Sequence, residues 1–242
     1  MSEKPRRATA TEAIHGVKHD EQFHSVPYPI YQSANFAVEQ SDDYRHYIND
    51  DLDDFYIYSR PDSPTQRAVE LKLAKLEHGE DALMTASGMA AITTAVLSVV
   101  KAGDTIAASK RIYGTTYGFL ANIAPQFGIQ TVFLDDEALY DIEHHAPQAK
   151  LVYFETPINP TVDIVDIAAV VEAARKIGAL TMLDSTFASP INQNPLDWGV
   201  DVVVHSATKY LGGHSDLVAG AIIGGETQVQ AARNLLKVFG GI

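Results

Sequence analysis

Apolar residues between positions 104 and 223 fall into short runs separated by stretches of helical spacing. The runs at 104–108, 130–134, 151–155, 179–184, 200–205 and 217–223 predict strands. Val69, Leu73 and Leu76 recur one helical turn apart and predict a helix that stops at His78-Gly79. A second helix is expected over 90–99 and a third over 166–176. In the third, Ile167, Val170, Val171 and Ala174 share one face, Asp166 can cap the start, and Gly178 can close the end. This alternation predicts an α/β fold with a mainly parallel sheet covered on both faces. Runs such as Val202-Val203-Val204 suit strands buried on both sides, and there is no internal repeat.

Residues 1–64 differ. They show no sustained helical period and carry four prolines before Pro64. Asp42, Asp43, Asp50, Asp51, Asp53 and Asp54 cluster there among tyrosines. The expectation is an extended N-terminal arm with a solvated acidic loop, followed by an α/β domain over 65–242.

Composition narrows the function classes. The 242 residues are 46% hydrophobic, enough for a sizeable core. Thirty-one acidic against 18 basic residues give a net charge of −13, which disfavours nucleic acid and anionic membrane surfaces as partners. With no cysteine, disulfides, thiolate nucleophiles and cysteine-ligated zinc are excluded. The N-terminal 15 residues lack an apolar targeting region, and the longest uncharged stretch, 86–100, is too short for a bilayer span, so a soluble cytoplasmic protein is expected.

In parallel sheets ligands sit beyond the carboxyl ends of the strands. Those ends are polar here: one run closes at Glu155, another at Asp184, and a third at His205-Ser206-Ala207-Thr208-Lys209. Neither a G-x-G-x-x-G nor a P-loop motif is present. Lys209 is either an exposed strand-end lysine or an amine in a partly desolvated pocket, able to form a Schiff base. Asp184 ends an apolar strand and needs a donor or a cation: a protonated ring nitrogen, an arginine such as Arg175, or a backbone cap. Ser87-Gly88-Met89 opens a helix and offers free N–H groups to an anion. Tyr113 either packs in the protein or stacks on a flat cofactor. His205, His214 and Asp216 lack a metal-ligand spacing, so no metal site is expected, and His144-His145 reads as a solvent-facing helix end.

Together these residues resemble a family. The stretch from His205 through Lys209-Tyr210-Leu211-Gly212-Gly213-His214-Ser215-Asp216 is similar to the pyridoxal-phosphate lysine signature of the Cys/Met metabolism enzymes. Further matches, in order, are Tyr58-Ser59-Arg60, Ser87-Gly88-Met89-Ala90-Ala91, Tyr113-Gly114, Glu155-Thr156-Pro157-Ile158-Asn159-Pro160 and Leu183-Asp184-Ser185-Thr186. The family includes cystathionine gamma-synthase, cystathionine gamma- and beta-lyases, methionine gamma-lyase and O-acylhomoserine sulfhydrylases. The resemblance implies a fold type I large domain, pyridoxal phosphate, and elimination or gamma-replacement on a sulfur amino acid or activated homoserine. It further implies that Lys209 carries the cofactor and shuttles a proton, Asp184 pairs with the ring nitrogen, and Tyr113 stacks on the ring and serves as an acid or base. Ser87, Ser206, Thr208 and the Gly88 and Met89 amides would hold the phosphate, Asn159 would lie near the ring's phenolic oxygen, and Glu155 would support them. Tyr58 and Arg60 would reach the phosphate of a neighbouring subunit in a homotetramer built from dimers that share active sites.

The chain departs from the family pattern in places. Ser63-Pro64-Thr65 stands where Asn-Pro-Thr is usual, Ser185 where asparagine follows the aspartate, and Thr115 where methionine gamma-lyases carry cysteine. Family members continue into a smaller C-terminal domain with an arginine for the substrate carboxylate, whereas this chain stops at Gly241-Ile242. A non-catalytic cofactor-binding or assembly fragment is therefore the alternative expectation.

Overall fold

The computed structural model describes residues 8–17, 25–48 and 55–242. Its strands are β1 (Asp81–Thr85), β2 (Thr105–Ser109), β3 (Gln130–Leu134), β4 (Ala149–Glu155), β5 (Leu180–Asp184), β6 (Val202–His205) and β7 (Gly220–Gly224). Its helices are α1 (Thr9–His15), α2 (Ser41–Ile48), α3 (Pro64–Glu77), α4 (Gly88–Val99), α5 (Gly114–Gly118), α6 (Asp136–Leu139), α7 (Ile142–His145), α8 (Ile167–Lys176), α9 (Ser189–Asn192) and α10 (Glu226–Phe239).

The strands form one sheet in the order β1-β7-β6-β5-β4-β2-β3. Only β7 runs against its neighbours. Alternate residues of each strand face opposite layers. Ile106, Leu151, Tyr153, Met182, Val202, Val204 and Ile222 pack with α4 and α10 on one face. Val152, Phe154, Leu183 and Val203 pack with α8 on the other, where Ala82, Ala221 and Ile223 meet α3. The periodicity therefore places Glu155, two residues beyond Tyr153, and Asp184, two beyond Met182, on the α4 side. His205, two beyond Val203, belongs to the α3 side.

Most predicted elements are present. Asp166 caps α8 by accepting the Ala169 N–H, and Gly178 closes it in a left-handed conformation. Ser63 caps α3 through the Gln66 N–H, the job an asparagine does equally well there. Three expectations change. Residues 217–219 precede β7 instead of starting it, because Ala219 is bonded to Thr208. β1, formed by Asp-Ala-Leu-Met-Thr, was not expected. The arm is not wholly extended: α1 and α2 lie within it, and Asp42 and Asp43 occupy the first turn of α2, where carboxylates suit the helix dipole. Asp50, Asp51, Asp53 and Asp54 lie outside the described residues. The expected stop at His78-Gly79 is present: α3 ends at Glu77 and His78 takes the left-handed position, with φ of 64°.

The end of the sheet near β1 is held by a buried ionic cluster. Arg233 of α10 donates to Glu70 of α3 at 2.9 Å and to the Ala82 carbonyl at 3.0 Å, and lies 3.5 Å from Asp81. Arg67 pairs with Asp81 and Glu70. Removing one charge from such a set leaves its partners desolvated and uncompensated. Arg233→Leu is expected to cost about 3 kcal/mol and to lower the thermal unfolding midpoint by roughly 10 °C, measured by circular dichroism.

Candidate active site

The carboxyl edge of the sheet carries a cavity of about 320 Å³ on the α4 side. Ser87, Gly88, Met89, Tyr113, Glu155, Asn159, Asp184, Ser206, Thr208 and Lys209 all line it. Every residue expected at a cofactor is therefore in one place except Tyr58 and Arg60. Those two lie outside the lining, with the Arg60 guanidinium 5.4 Å from the Tyr58 ring centroid.

Asp184 forms the floor. It is 6% exposed, and the Thr186 N–H and hydroxyl donate to its Oδ1 at 3.0 and 2.5 Å. Burial pushes its carboxyl up, and the Thr186 bonds counter this. No ion pair to Asp184 forms among the described residues. Arg175, the arginine considered for it, instead lies over Gly199. Thr186 also accepts the Ser206 N–H at 2.9 Å, tying the aspartate to the lysine turn. Sequence reasoning missed Thr186, although an aspartate accepting from the amide two residues on is a recognised turn pattern.

Glu155 is the second buried carboxylate. Its Oε2 accepts the Tyr113 N–H at 2.7 Å and its Oε1 the Asn159 N–H at 2.9 Å. One side chain thus sets the backbone of two lining residues. Burial, with Asp184 adding to it, pushes its carboxyl up to about 7. Tyr153 is fully buried on the same strand, and its hydroxyl is pushed up by burial and by both carboxylates.

The start of α4 and the turn after β6 supply donors. Ser87 caps α4 through the Ala90 N–H at 3.1 Å, and the amides of Gly88 and Met89 precede any intrahelical acceptor. A Cβ on Gly88 would sit 2.7 Å from that of Ser206, so only glycine lets the helix start meet the lysine turn. Thr208 lines the cavity, but its hydroxyl donates to the Ala219 carbonyl at 3.1 Å and accepts the Ala219 N–H at 3.0 Å. Lys209 lines the cavity and is exposed, in keeping with the first of the two readings of its sequence position. Tyr113 is 43% exposed there. Ser185, the departure beside Asp184, is buried and accepts from Gln193 at 3.1 Å. His205 turns away toward Glu77, and His214 is exposed beside the Gly212 carbonyl, so the two do not converge.

A lysine, a buried carboxylate and a helix start around one cavity at the carboxyl edge of a mostly parallel sheet define a fold type I large domain. The chain belongs to the family described as Cys/Met metabolism PLP-dependent enzyme, matched over residues 10–242. It is 40% identical over 231 residues to an L-methionine gamma-lyase of Porphyromonas gingivalis, covering 94% of this chain and 57% of that one. It is also 40% identical over 218 residues to a probable cystathionine gamma-synthase of Herpetosiphon aurantiacus, covering 88% and 65%. A crystal structure of a Campylobacter jejuni protein described as a putative O-acetylhomoserine (thiol)-lyase with N'-pyridoxyl-lysine-5'-monophosphate superposes with a TM-score of 0.86. Its identity is 32%, covering 92% of this chain and 55% of that one. The chain therefore spans somewhat more than half the length of the relatives it matches.

The donor set suits pyridoxal phosphate. A carboxylate without an ion pair lies on the floor, a primary amine stands at the mouth, and a helix start that only glycine permits offers N–H groups to a phosphate. The raised Glu155 value has a consequence for stability. Between about pH 4.5, its ordinary value, and pH 7 the folded state binds more protons than the unfolded one. The contribution of Glu155 is thus fully present below that window and lost as pH rises through it. In urea titrations at pH 5 and pH 8, Glu155→Gln is expected to gain on the unsubstituted chain by on the order of 2 kcal/mol at the higher pH.

Proposed function

We propose that this cavity binds pyridoxal phosphate on Lys209 and that the protein acts on a sulfur amino acid or an O-activated homoserine, by elimination or gamma-replacement. The observation that carries the reading is the meeting of Lys209, Asp184 and the start of α4 around one cavity of about 320 Å³. The cofactor supplies an electron sink when bound.

The chain's residues supply the rest. Asp184 would hold a cationic ring nitrogen, its carboxylate kept in place by Thr186. The Gly88 and Met89 amides, with Ser87 and Ser206, would hold the phosphate, and Thr208 would brace that wall through Ala219. Tyr113 would lie against the ring, and Asn159 near its phenolic oxygen, both with backbones set by Glu155. Lys209 Nζ would remove the proton from the substrate α-carbon and return it later. Tyr113, which lines the cavity and is partly exposed, would move a proton to or from a leaving group. Tyr58 and Arg60, outside their own chain's cavity, would reach the phosphate of a neighbouring subunit, which makes a homotetramer of site-sharing dimers the working assembly.

A second reading, a cofactor-binding fragment without catalysis, is favoured by one observation: no arginine is among the lining residues that would orient a substrate carboxylate. The two are separated in sequence. Mixing the chain with pyridoxal phosphate is expected to give a visible chromophore that borohydride fixes to the Lys209 peptide, and Lys209→Ala is expected to abolish it. A chromophore that persists in Lys209→Ala, or maps elsewhere, would overturn the assignment. Release of 2-oxo acid from L-methionine, L-cystathionine or O-acetylhomoserine then supports the enzyme reading, and its absence in a loaded chain supports the fragment.

A further inference from the structure

On the face of the sheet opposite the cavity, directly behind the lysine turn, His205 Nε2 lies 2.5 Å from Glu77 Oε1. Both side chains are essentially sealed from solvent, at 1% and 0% exposure. Their second polar atoms, His205 Nδ1 and Glu77 Oε2, have no hydrogen-bond partner among the described residues. Burying two ionisable groups with half their bonding capacity unmet is costly, so each depends on the other. The cofactor chemistry proposed above uses neither.

Their positions give the pair a role. His205 ends β6, and the next residues form a turn closed on itself: Lys209 N–H bonds to the Ser206 carbonyl, Gly212 N–H to that of Ala207, and Gly213 N–H to that of Lys209. Glu77 ends α3. The far end of this 14-residue helix begins at Ser63, close after Tyr58 and Arg60 in the chain. The helix is held at both ends. Arg67 and Glu70 anchor it to Asp81 and Arg233, while Asn194 Nδ2 donates to the Leu76 carbonyl at 2.8 Å beside Glu77. The root of the lysine turn is thus fixed to a strut that starts at the arm.

We propose that Glu77 and His205 are positioning residues, holding the root of the 206–209 turn against the end of α3 so that Lys209 is presented at the cavity mouth. The link to cofactor chemistry rests on the Lys209 reading above; the mechanical claim does not.

The test uses the full chain with two substitutions. Glu77→Leu removes the acceptor, and Glu77→Gln keeps it. Hydrogen exchange of the cofactor-free proteins is compared between the peptide covering 205–213 and the distant strand β3. Glu77→Leu is expected to speed exchange at 205–213 about tenfold with β3 unchanged, and to raise the dissociation constant for pyridoxal phosphate about tenfold. Glu77→Gln is expected to restore both to within about threefold of the unsubstituted chain. Unchanged exchange at 205–213 in Glu77→Leu would overturn the proposal. Acceleration shared by every strand would also overturn it, assigning the pair to global stability instead. If the unsubstituted chain binds no pyridoxal phosphate, the Lys209 reading fails, while the exchange comparison still decides whether the pair holds the turn.

Discussion

The site depends on one close approach, the start of α4 against the turn that follows β6. Gly88 meets Ser206 where a Cβ would come within 2.7 Å of another side chain. On the other side of the same loop, a Cβ on Gly220 would fall 2.1 Å from the Ser87 carbonyl. Two glycines from distant parts of the chain therefore grip the 87–88 loop between β7 and the lysine turn. With any larger residue at either place the helix start would move away from Ser206. The free amides at the start of α4 and the lysine would then no longer share a cavity.

The same geometry concentrates buried charge. Asp184 and Glu155 sit on one face of the sheet because strand periodicity puts them there, and burial raises both carboxyls. Each is tolerated through specific donors: Thr186 for Asp184, and the Tyr113 and Asn159 amides for Glu155. A floor that favours cationic ligands is the electrostatic result. At the β1 edge the ionic cluster around Arg233, and on the opposite face the Glu77–His205 pair, lock α3, so the sheet edge beneath the cavity is braced from behind. The rigid parts lie below the cavity, while Lys209 and Tyr113, exposed at its mouth, have room to move.

Strands β2 to β6 were legible in the sequence because each is an apolar run between turn residues, and their polar last residues pointed to the site. β1 was not, since Asp-Ala-Leu-Met-Thr has few β-branched residues and becomes a strand through pairing with β7. The reversed direction of β7 was equally hidden, because strand direction follows from tertiary connection and not from local pattern. Lys209, Asp184 and Ser87-Gly88-Met89 could be read together from ordered motifs, although each alone was ambiguous. Thr186 and the Glu77–His205 contact escaped notice for another reason. The contact joins residues 128 positions apart that only the folded sheet brings together.

What the cavity floor does not encode is the particular reaction. The relatives named above carry the names of different reactions. A lysine, a carboxylate and a helix start meet needs common to cofactor chemistry on amino acids, so they cannot separate these relatives. On the proposed reading, choice among leaving groups would come from residues near the substrate's distal end, for which the exposed lining residues are the candidates. Tyr113 and Val218 line the cavity near Lys209, with Thr115 two residues past Tyr113 in the first turn of α5. Differences in affinity at such a mouth arise from one or two contacts worth a few kcal/mol. The floor can therefore stay the same from one relative to another while the reaction changes.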